Sequence, residues 1–212
     1  GTTTIAGLGA FGGTTNASGA PAIRFGGLVI TLPTNPNGYF VQSKNPDAKY
    51  LVETNPLFSV GSNYVGSDYL AVRYGYNPDH VQQRLGDANY EAFLIRQQLV
   101  NQTGNNLLKG YGNEADQMKR LMDQAATQGK SLGLTYGQPP TEEQLSKLTD
   151  SMVWMVETEV AGHKVLAPVV YLSQATRDSI QNGAVIAADS VTLNLTSMTN
   201  TGGTIKPVPP LK

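Results

Sequence analysis

The sequence contains no cysteine and few charged residues, and both shortages restrict what the chain can be. Without cysteine it forms no disulfides and uses no thiolate for catalysis or metal binding. Charged residues make up 15% of its 212 residues, against about 25% in average soluble proteins. The net charge is -1, and no Lys/Arg cluster provides an electrostatic footprint for nucleic acid or anionic lipid. We therefore expect no nucleic-acid partner.

Long hydrophobic runs are missing as well. The longest, such as Gly27–Leu32, are far too short to cross a bilayer, so we predict no transmembrane segment. The chain has no initiator Met and no signal-peptide pattern, which suggests a segment of a longer protein. Its 23 glycines, with frequent Asn, Thr and Ser, are typical of an exported, repetitive β protein.

The most apolar stretch is Ser151–Leu172, which holds the only tryptophan, Trp154. Apolar residues alternate on both sides of a central glycine, and this period of two predicts a β-hairpin. A type II′ turn at Gly162-His163 places Trp154 opposite Tyr171, whereas a turn at Ala161-Gly162 shifts the pairs but keeps the same apolar face inside. Because an isolated hairpin is unstable in water, we expect the preceding helical stretch to cover this face.

The two ends of the chain carry short strands broken by Gly, Pro and Asn. The pattern around Leu28–Leu32 has an echo around Val191–Leu195. Repeated short strands with Gly/Asn corners are typical of a β-solenoid. We therefore divide the chain into solenoid-like strands (1–50), a helical insert plus hairpin (51–172), and a solenoid coil (173–212).

Helical periodicity and capping residues occur only in the middle of the chain. The predicted helices are Ser67–Tyr74, Asp79–Leu85, Asp87–Gln102, one beginning after the N-cap Asn113, and one from the capping box of Thr141 and Gln144 to Leu148.

Few residues are candidates for chemistry. Residues 7–12 read G-x-G-x-x-G, but no helix start follows and no acid lies about 20 residues on, so we interpret them as β corners. Glu157 and Glu159 lie about 7 Å apart on one strand, near the spacing of glycosidase carboxylates, although on the predicted solvated face. His80 and His163 have no acidic cluster beside them for a zinc site. We assign no catalytic, cofactor-binding or metal-binding residue and expect no cofactor.

Tyrosines concentrate in the helical part, where they could form a recognition face or border the core. The seven are Tyr64, Tyr69, Tyr74, Tyr76, Tyr90, Tyr111 and Tyr136.

An ordered set of motifs carries a family resemblance. The set includes YLVETNPLF (Tyr50–Phe58), GSDYL (Gly66–Leu70), RLGD (Arg84–Asp87), LIRQQ (Leu94–Gln98), MVW (Met152–Trp154) and VLAPVVY (Val165–Tyr171). Over residues 28–206 the chain resembles a module of large two-partner-secretion exoproteins, the filamentous haemagglutinin and CdiA-type contact-dependent growth inhibition proteins of Gram-negative bacteria. In that family the module precedes a second block of haemagglutinin repeats, and the tail 182–205 resembles the first such repeat.

The resemblance implies export through an outer-membrane two-partner-secretion transporter and folding outside the cell into a β-helix rod. Its partners would be that transporter and neighbouring β-helix segments of the same chain. Its location would be secreted or at the bacterial cell surface, with a periplasmic stage during paused export. The resemblance implies no catalytic residue here, because enzymatic activity in toxin-delivering relatives belongs to a C-terminal domain.

The sequence therefore predicts an α+β fold, with a helix-rich insert packed on a β-hairpin and β-solenoid strands at both ends. The predicted function is a non-enzymatic structural and interaction module of a filamentous adhesin or a toxin-delivery fibre. Two alternatives stay open. One is a domain that recognises a target-cell receptor through its tyrosines, and the other is a glycan hydrolase that uses Glu157 and Glu159.

Overall fold

The computed structural model describes residues 1–58 and 63–181, which form a mixed α+β fold. Residues 1–173 make one compact unit, and the described part of a second unit is a single helix. The strands are β1 Thr2–Ile5, β2 Gly9–Thr15, β3 Pro21–Phe25, β4 Leu28–Thr31, β5 Phe40–Gln42, β6 Tyr50–Thr54, β7 Arg84–Gly86, β8 Met152–Val160 and β9 His163–Tyr171. The helices are α1 Gly66–Arg73, α2 Ala88–Thr103, α3 Glu114–Leu132, α4 Glu142–Ser146 and α5 Gln174–Gln181, with a 3₁₀ turn at Pro78–His80. None of the described helices is long and apolar enough to cross a membrane.

The first four strands form an antiparallel sheet in the order β1-β2-β3-β4. These four strands do not show the predicted solenoid, because each runs antiparallel to the one before it instead of stacking as a coil. The glycine-rich motif lies in the β1–β2 hairpin, as the β-corner interpretation predicts. A Cβ on Gly13 would lie 2.1 Å from the carbonyl oxygen of Glu159, so glycine permits β2 to approach β8 closely. Of the predicted C-terminal coil, residues 174–181 are helical and residues 182–212 lie outside the described part.

The second sheet has the order β5-β6-β7-β9-β8 and mixes parallel with antiparallel pairs. Its central strand β7 pairs in parallel with both β6 and β9. The predicted helix Asp79–Leu85 is therefore wrong. The chain makes only the short 3₁₀ turn before Arg84–Gly86 enters the sheet, where all three residues are buried.

The predicted hairpin is present as β8 and β9. Its turn is at Ala161-Gly162, where both residues have positive φ, +52° and +80°, as a type I′ turn requires. The type II′ register is wrong by two residues, because Trp154 lies opposite Val169, while Tyr171 pairs with Met152. The shift keeps Trp154 on the inner face, since an even step preserves the side on which a strand residue points.

Helix α3 covers the hairpin, as predicted. Trp154 is fully buried, and its Nε1–H donates to the carbonyl of Gln138 at 2.8 Å. A Cβ on Gly129 of α3 would lie 3.1 Å from the indole ring, so this glycine lets the helix backbone rest on the tryptophan. Five apolar residues of α3 are buried as well: Met118, Leu121, Met122, Ala125 and Ala126.

Helix α2 closes the edge of the hairpin strand β9. Its N-cap is Asp87 and its C-cap is Gly104 in the left-handed conformation, so its ends agree with the sequence prediction. Strand β9 extends beyond its short neighbour β7. There the buried amide of Gln98 donates to the Pro168 carbonyl at 2.8 Å and accepts from the Val170 N–H at 3.0 Å. The Gln98 amide thus makes two hydrogen bonds that a neighbouring strand would otherwise make with β9, which satisfies two buried backbone groups.

Candidate functional site

The densest group of ionisable side chains lies where β6, α1, β7 and α2 meet, and we call it the Arg84 cluster: Tyr50, Asp68, Arg84 and Glu91. Arg84 is 1% exposed. Its Nη2 lies 3.0 Å from Oδ1 of Asp68, and its Nη1 donates to three backbone carbonyls at 3.1–3.2 Å. The guanidinium stands 5.2 Å from the ring centre of Tyr50, whose hydroxyl donates to Oδ2 of Asp68 at 3.0 Å. The charge of Arg84 is thus paired and hydrogen-bonded, as a buried cation must be.

The cluster reaches solvent through Lys49. Its ammonium lies 2.8 Å from a carboxylate oxygen of Asp79 and 3.9 Å from Asp68. The hydrogen bond from Lys49 lowers the pKa of Asp79 below its ordinary value. Because Asp79 is exposed, this pair contributes little to stability.

Glu91 is the buried acid of the cluster. It belongs to α2, is 1% exposed, and its Oε1 accepts the N–H of Ser67 at 2.7 Å. Burial raises its pKa to about 8 and the Asp68 carboxylate adds to the increase, while Ser67 and Arg84 oppose it. Glu91 therefore holds a proton at neutral pH, unlike an ordinary glutamate.

The Arg84 cluster can hold charge and a proton, but it cannot admit a polymer. Arg84 and Glu91 are each 1% exposed, so a polymer in solvent cannot contact their charged groups. The direct physical consequence of this arrangement is to fix α1 against β7 and α2. Among the described residues no group of three or more His, Asp or Glu side chains could hold a metal ion.

The structure places the predicted candidates away from this cluster. Glu157 and Glu159 are exposed. Glu157 accepts a hydrogen bond from Gln82 at 3.1 Å, and Glu159 stands opposite Lys164. His80 lies in the exposed 3₁₀ turn and His163 begins β9. Within the described part of the chain these four side chains belong to no cluster that could hold a metal ion.

The tyrosines divide between the core and the surface. Tyr90 is buried. Tyr74, Tyr76 and Tyr136 all contact one another, with ring centres 5.3–6.4 Å apart. Tyr74 and Tyr136 also meet the Trp154 ring edge-on, at 5.1 and 5.7 Å. The hydroxyl of Tyr69 instead donates to Asp123 of α3. Most of these rings therefore border the core.

A shallow groove of about 320 Å³ opens beside the β5 edge. Its lining residues are Tyr39, Phe40, Tyr64, Asn89, Phe93 and Arg96. Arg96 is paired with Glu114, with Nη2 to Oε1 at 2.8 Å, so its charge is already neutralised. The groove offers aromatic surface and no uncompensated charge.

The sequence does not reveal the Arg84 cluster directly, because its members are 7 to 41 positions apart in the chain. A local signal was available at two of them. Arg84 directly precedes a leucine that becomes fully buried, and Glu91 lies between Tyr90 and Ala92, next to the apolar stripe of α2. A charged residue inside an apolar pattern indicates a buried polar cluster when it recurs on neighbouring elements.

Comparison with known proteins identifies relatives by sequence. No family model and no solved structure matches the chain. The 16S rRNA endonuclease CdiA of Enterobacter cloacae subsp. cloacae is 34% identical over 82% of this chain. The tRNA nuclease CdiA of Escherichia coli strain STEC_O31 is 31% identical over 82%, and the deoxyribonuclease CdiA of Dickeya dadantii strain 3937 is 33% identical over 77%. The chain spans only 6% of the length of each of these three proteins.

These names overturn three expectations from the sequence. They point to nuclease activity, so the predicted non-enzymatic function was wrong, and with it its receptor-binding and glycan-hydrolase alternatives. The expectations that the protein is not an enzyme and has no nucleic-acid partner are corrected for the same reason. Net charge was a poor guide because a segment of this size reports only its own surface.

Proposed function

The chain is a CdiA-type module of a two-partner-secretion protein, and from this premise we propose that the full-length protein is a nuclease toxin of contact-dependent growth inhibition. The observation that carries the proposal is the agreement among relatives. Three with 31–34% identity to this chain are named for the cleavage of RNA or DNA. The substrate class is therefore a nucleic acid, and the reaction is cleavage of a phosphodiester bond.

We further propose that this chain does not determine which nucleic acid is cleaved. The relatives match it at similar identity, yet their names give 16S rRNA, tRNA and DNA as targets. A segment shared by proteins with different substrates is a poor candidate for the part that distinguishes them. The buried position of the Arg84 cluster agrees with this, because a polymer cannot reach its charges.

The secretion context supplies the remaining proposals. We propose export through an outer-membrane two-partner-secretion transporter, display at the bacterial cell surface and delivery of the toxin to a target cell. The division into 1–50, 51–172 and 173–212, the contact with neighbouring β-helix segments and the haemagglutinin-repeat character of the tail belong to the same proposal. They rest on family resemblance.

A nuclease assay of the full-length protein tests the proposal. The purified protein is incubated separately with total tRNA, intact ribosomes and plasmid DNA, and the products are separated on gels. We expect one class to be cleaved, as for the named relatives. If a folded, full-length preparation leaves all three substrates intact, the nuclease proposal is wrong.

A further inference from the structure

The joint between α1 and α2 contains a buried acid in an unusual position. Helix α1 begins at Gly66, whose φ of +69° belongs to the left-handed region. A Cβ on Gly66 would lie 2.9 Å from the Cβ of Ala88, so the first turn of α1 presses on the first turn of α2. In this contact the Ser67 N–H points at Glu91, which thereby caps α1 from another helix.

The carboxyl group of Glu91 is only partly satisfied. Its Oε1 accepts the Ser67 N–H at 2.7 Å, whereas its Oε2 is buried without a hydrogen-bond partner among the described residues. The Ser67 hydroxyl lies close enough to the carboxyl group to lower its pKa, although neither this hydroxyl nor Oε2 has a hydrogen-bond partner of standard geometry among the described residues. A full negative charge with one strong donor is costly in such a place.

The charged and titratable groups around Glu91 do not supply the missing compensation. From α1 the Asp68 carboxylate repels a second negative charge. From β7 Arg84 attracts it, but this guanidinium is 3.0 Å from Asp68 and donates to three carbonyls. Tyr136 interacts with Glu91 from the loop before α4, and Tyr50 of β6 is engaged with Asp68. The neutral acid is therefore the form that this joint accommodates.

We propose that Glu91 is a proton-dependent latch, which holds the first turn of α1 against α2 as a neutral acid and loosens this joint when it ionises. The latch belongs to the fold of residues 1–173 and is independent of the nuclease activity. The raised pKa of Glu91, about 8 against an ordinary value of 4.5, agrees with the geometry.

The latch fixes the direction of the pH dependence. The native state keeps a proton that the unfolded chain releases above its lower pKa, so the stabilisation is complete below about pH 4.5 and is lost as the pH rises through about 8. Within this window the unfolding equilibrium constant should increase about tenfold per pH unit. The groups with lowered pKa, Asp79 and Glu114, act below this range.

Urea unfolding of the 212-residue chain between pH 5.5 and 8.5 tests the latch, with the fluorescence of the single tryptophan as the signal. We expect the unfolding constant of the unaltered chain to rise with pH and that of Glu91→Gln to stay flat, because the amide keeps the acceptor for Ser67 and cannot ionise. Glu157→Gln is the matched control, since its exposed carboxylate should leave the slope unchanged. The same pH slope in Glu91→Gln as in the unaltered chain would overturn the proposal.

A second measurement keeps the test decisive if Glu91→Gln does not fold. The side-chain carboxyl carbon of Glu91 is followed by ¹³C NMR in the unaltered chain, with ¹³C-labelled glutamate. We expect one glutamate to titrate near pH 8, together with shifts of the amide signals in the first turn of α1. Titration of every glutamate below pH 5.5 would refute the latch.

Discussion

Single residues determine how stably helices α1 and α2 pack against the second sheet. Arg84 lies in a strand, although the sequence predicted a helix over Asp79–Leu85, and its buried charge is balanced by Asp68 and by three carbonyl groups. Removing one partner of such a pair leaves the other group buried and uncompensated. The stability of the joint therefore depends on both side chains together.

We predict that Arg84→Met destabilises the chain by about 3 kcal/mol. The aliphatic side chain fills similar space but leaves three carbonyls without their donor and Asp68 with only Lys49, 3.9 Å away, as a counter-charge. Urea denaturation at pH 7 measures the loss. Lys49→Met is the control, and we expect it to cost less than about 1 kcal/mol because Lys49 is 41% exposed. Equal losses in the two variants would contradict the assigned role of Arg84.

The hairpin turn supplies a second prediction at the residue scale. Ala161 has a φ of +52°, and it is the only non-glycine residue with positive φ in the described part of the chain. Type I′ turns favour Asn or Gly at this position. We expect Ala161→Asn to raise the free energy of unfolding by about 0.5–1 kcal/mol, and Gly162→Ala to lower it. Thermal unfolding of both variants checks the pair, and a loss of stability in Ala161→Asn would mean that the turn is assigned wrongly.

Among the secondary-structure elements, those with local signals were predictable and those without were not. Helices α2 and α3 carry both an apolar stripe and capping residues, and the predicted ends of α2 and the predicted start of α3 agree with the structure. Strands β6 and β7 are five and three residues long, and parallel pairing buries them without a visible alternation. Their place in the sheet depends on partners far away in sequence, so a local pattern could not assign it.

The contact between α3 and the hairpin gives a prediction at this scale. Gly129 is helical and would normally gain stability on replacement by alanine. Here the added methyl group would meet Tyr74 at 2.9 Å and the ring of Trp154 at 3.1 Å. We therefore expect Gly129→Ala to destabilise the chain by about 1–3 kcal/mol and to shift the tryptophan emission.

The control for this substitution lies two positions earlier. Thr127 is exposed on the same helix, and Thr127→Ala should be neutral or slightly stabilising because alanine has the higher helix propensity. Denaturation curves of the two variants, recorded side by side, separate packing from propensity. A stabilising Gly129→Ala would show that the helix does not rest on Trp154.

For the whole molecule, the family resemblance indicated a two-partner-secretion protein, whereas the residues of this segment did not indicate the activity. The CdiA-type relationship is shown by 31–34% identity to three named nucleases, and the α+β fold agrees with the sequence. The charge balance suggested no nucleic-acid partner, which the names of the relatives contradict. Composition describes the surface of the segment that carries it, so it could not reveal an activity that we assign to the full-length protein.

Exchange of the segment between full-length proteins tests most directly whether this chain determines which nucleic acid is cleaved. This chain replaces the matching segment in two full-length relatives, one named a 16S rRNA endonuclease and the other a tRNA nuclease, and both hybrids are assayed on ribosomes and on total tRNA. We predict that each hybrid cleaves the RNA that its recipient protein cleaves. If both hybrids instead acquired one common substrate, the inserted segment would determine specificity. The proposal that this chain does not determine which nucleic acid is cleaved would then be wrong.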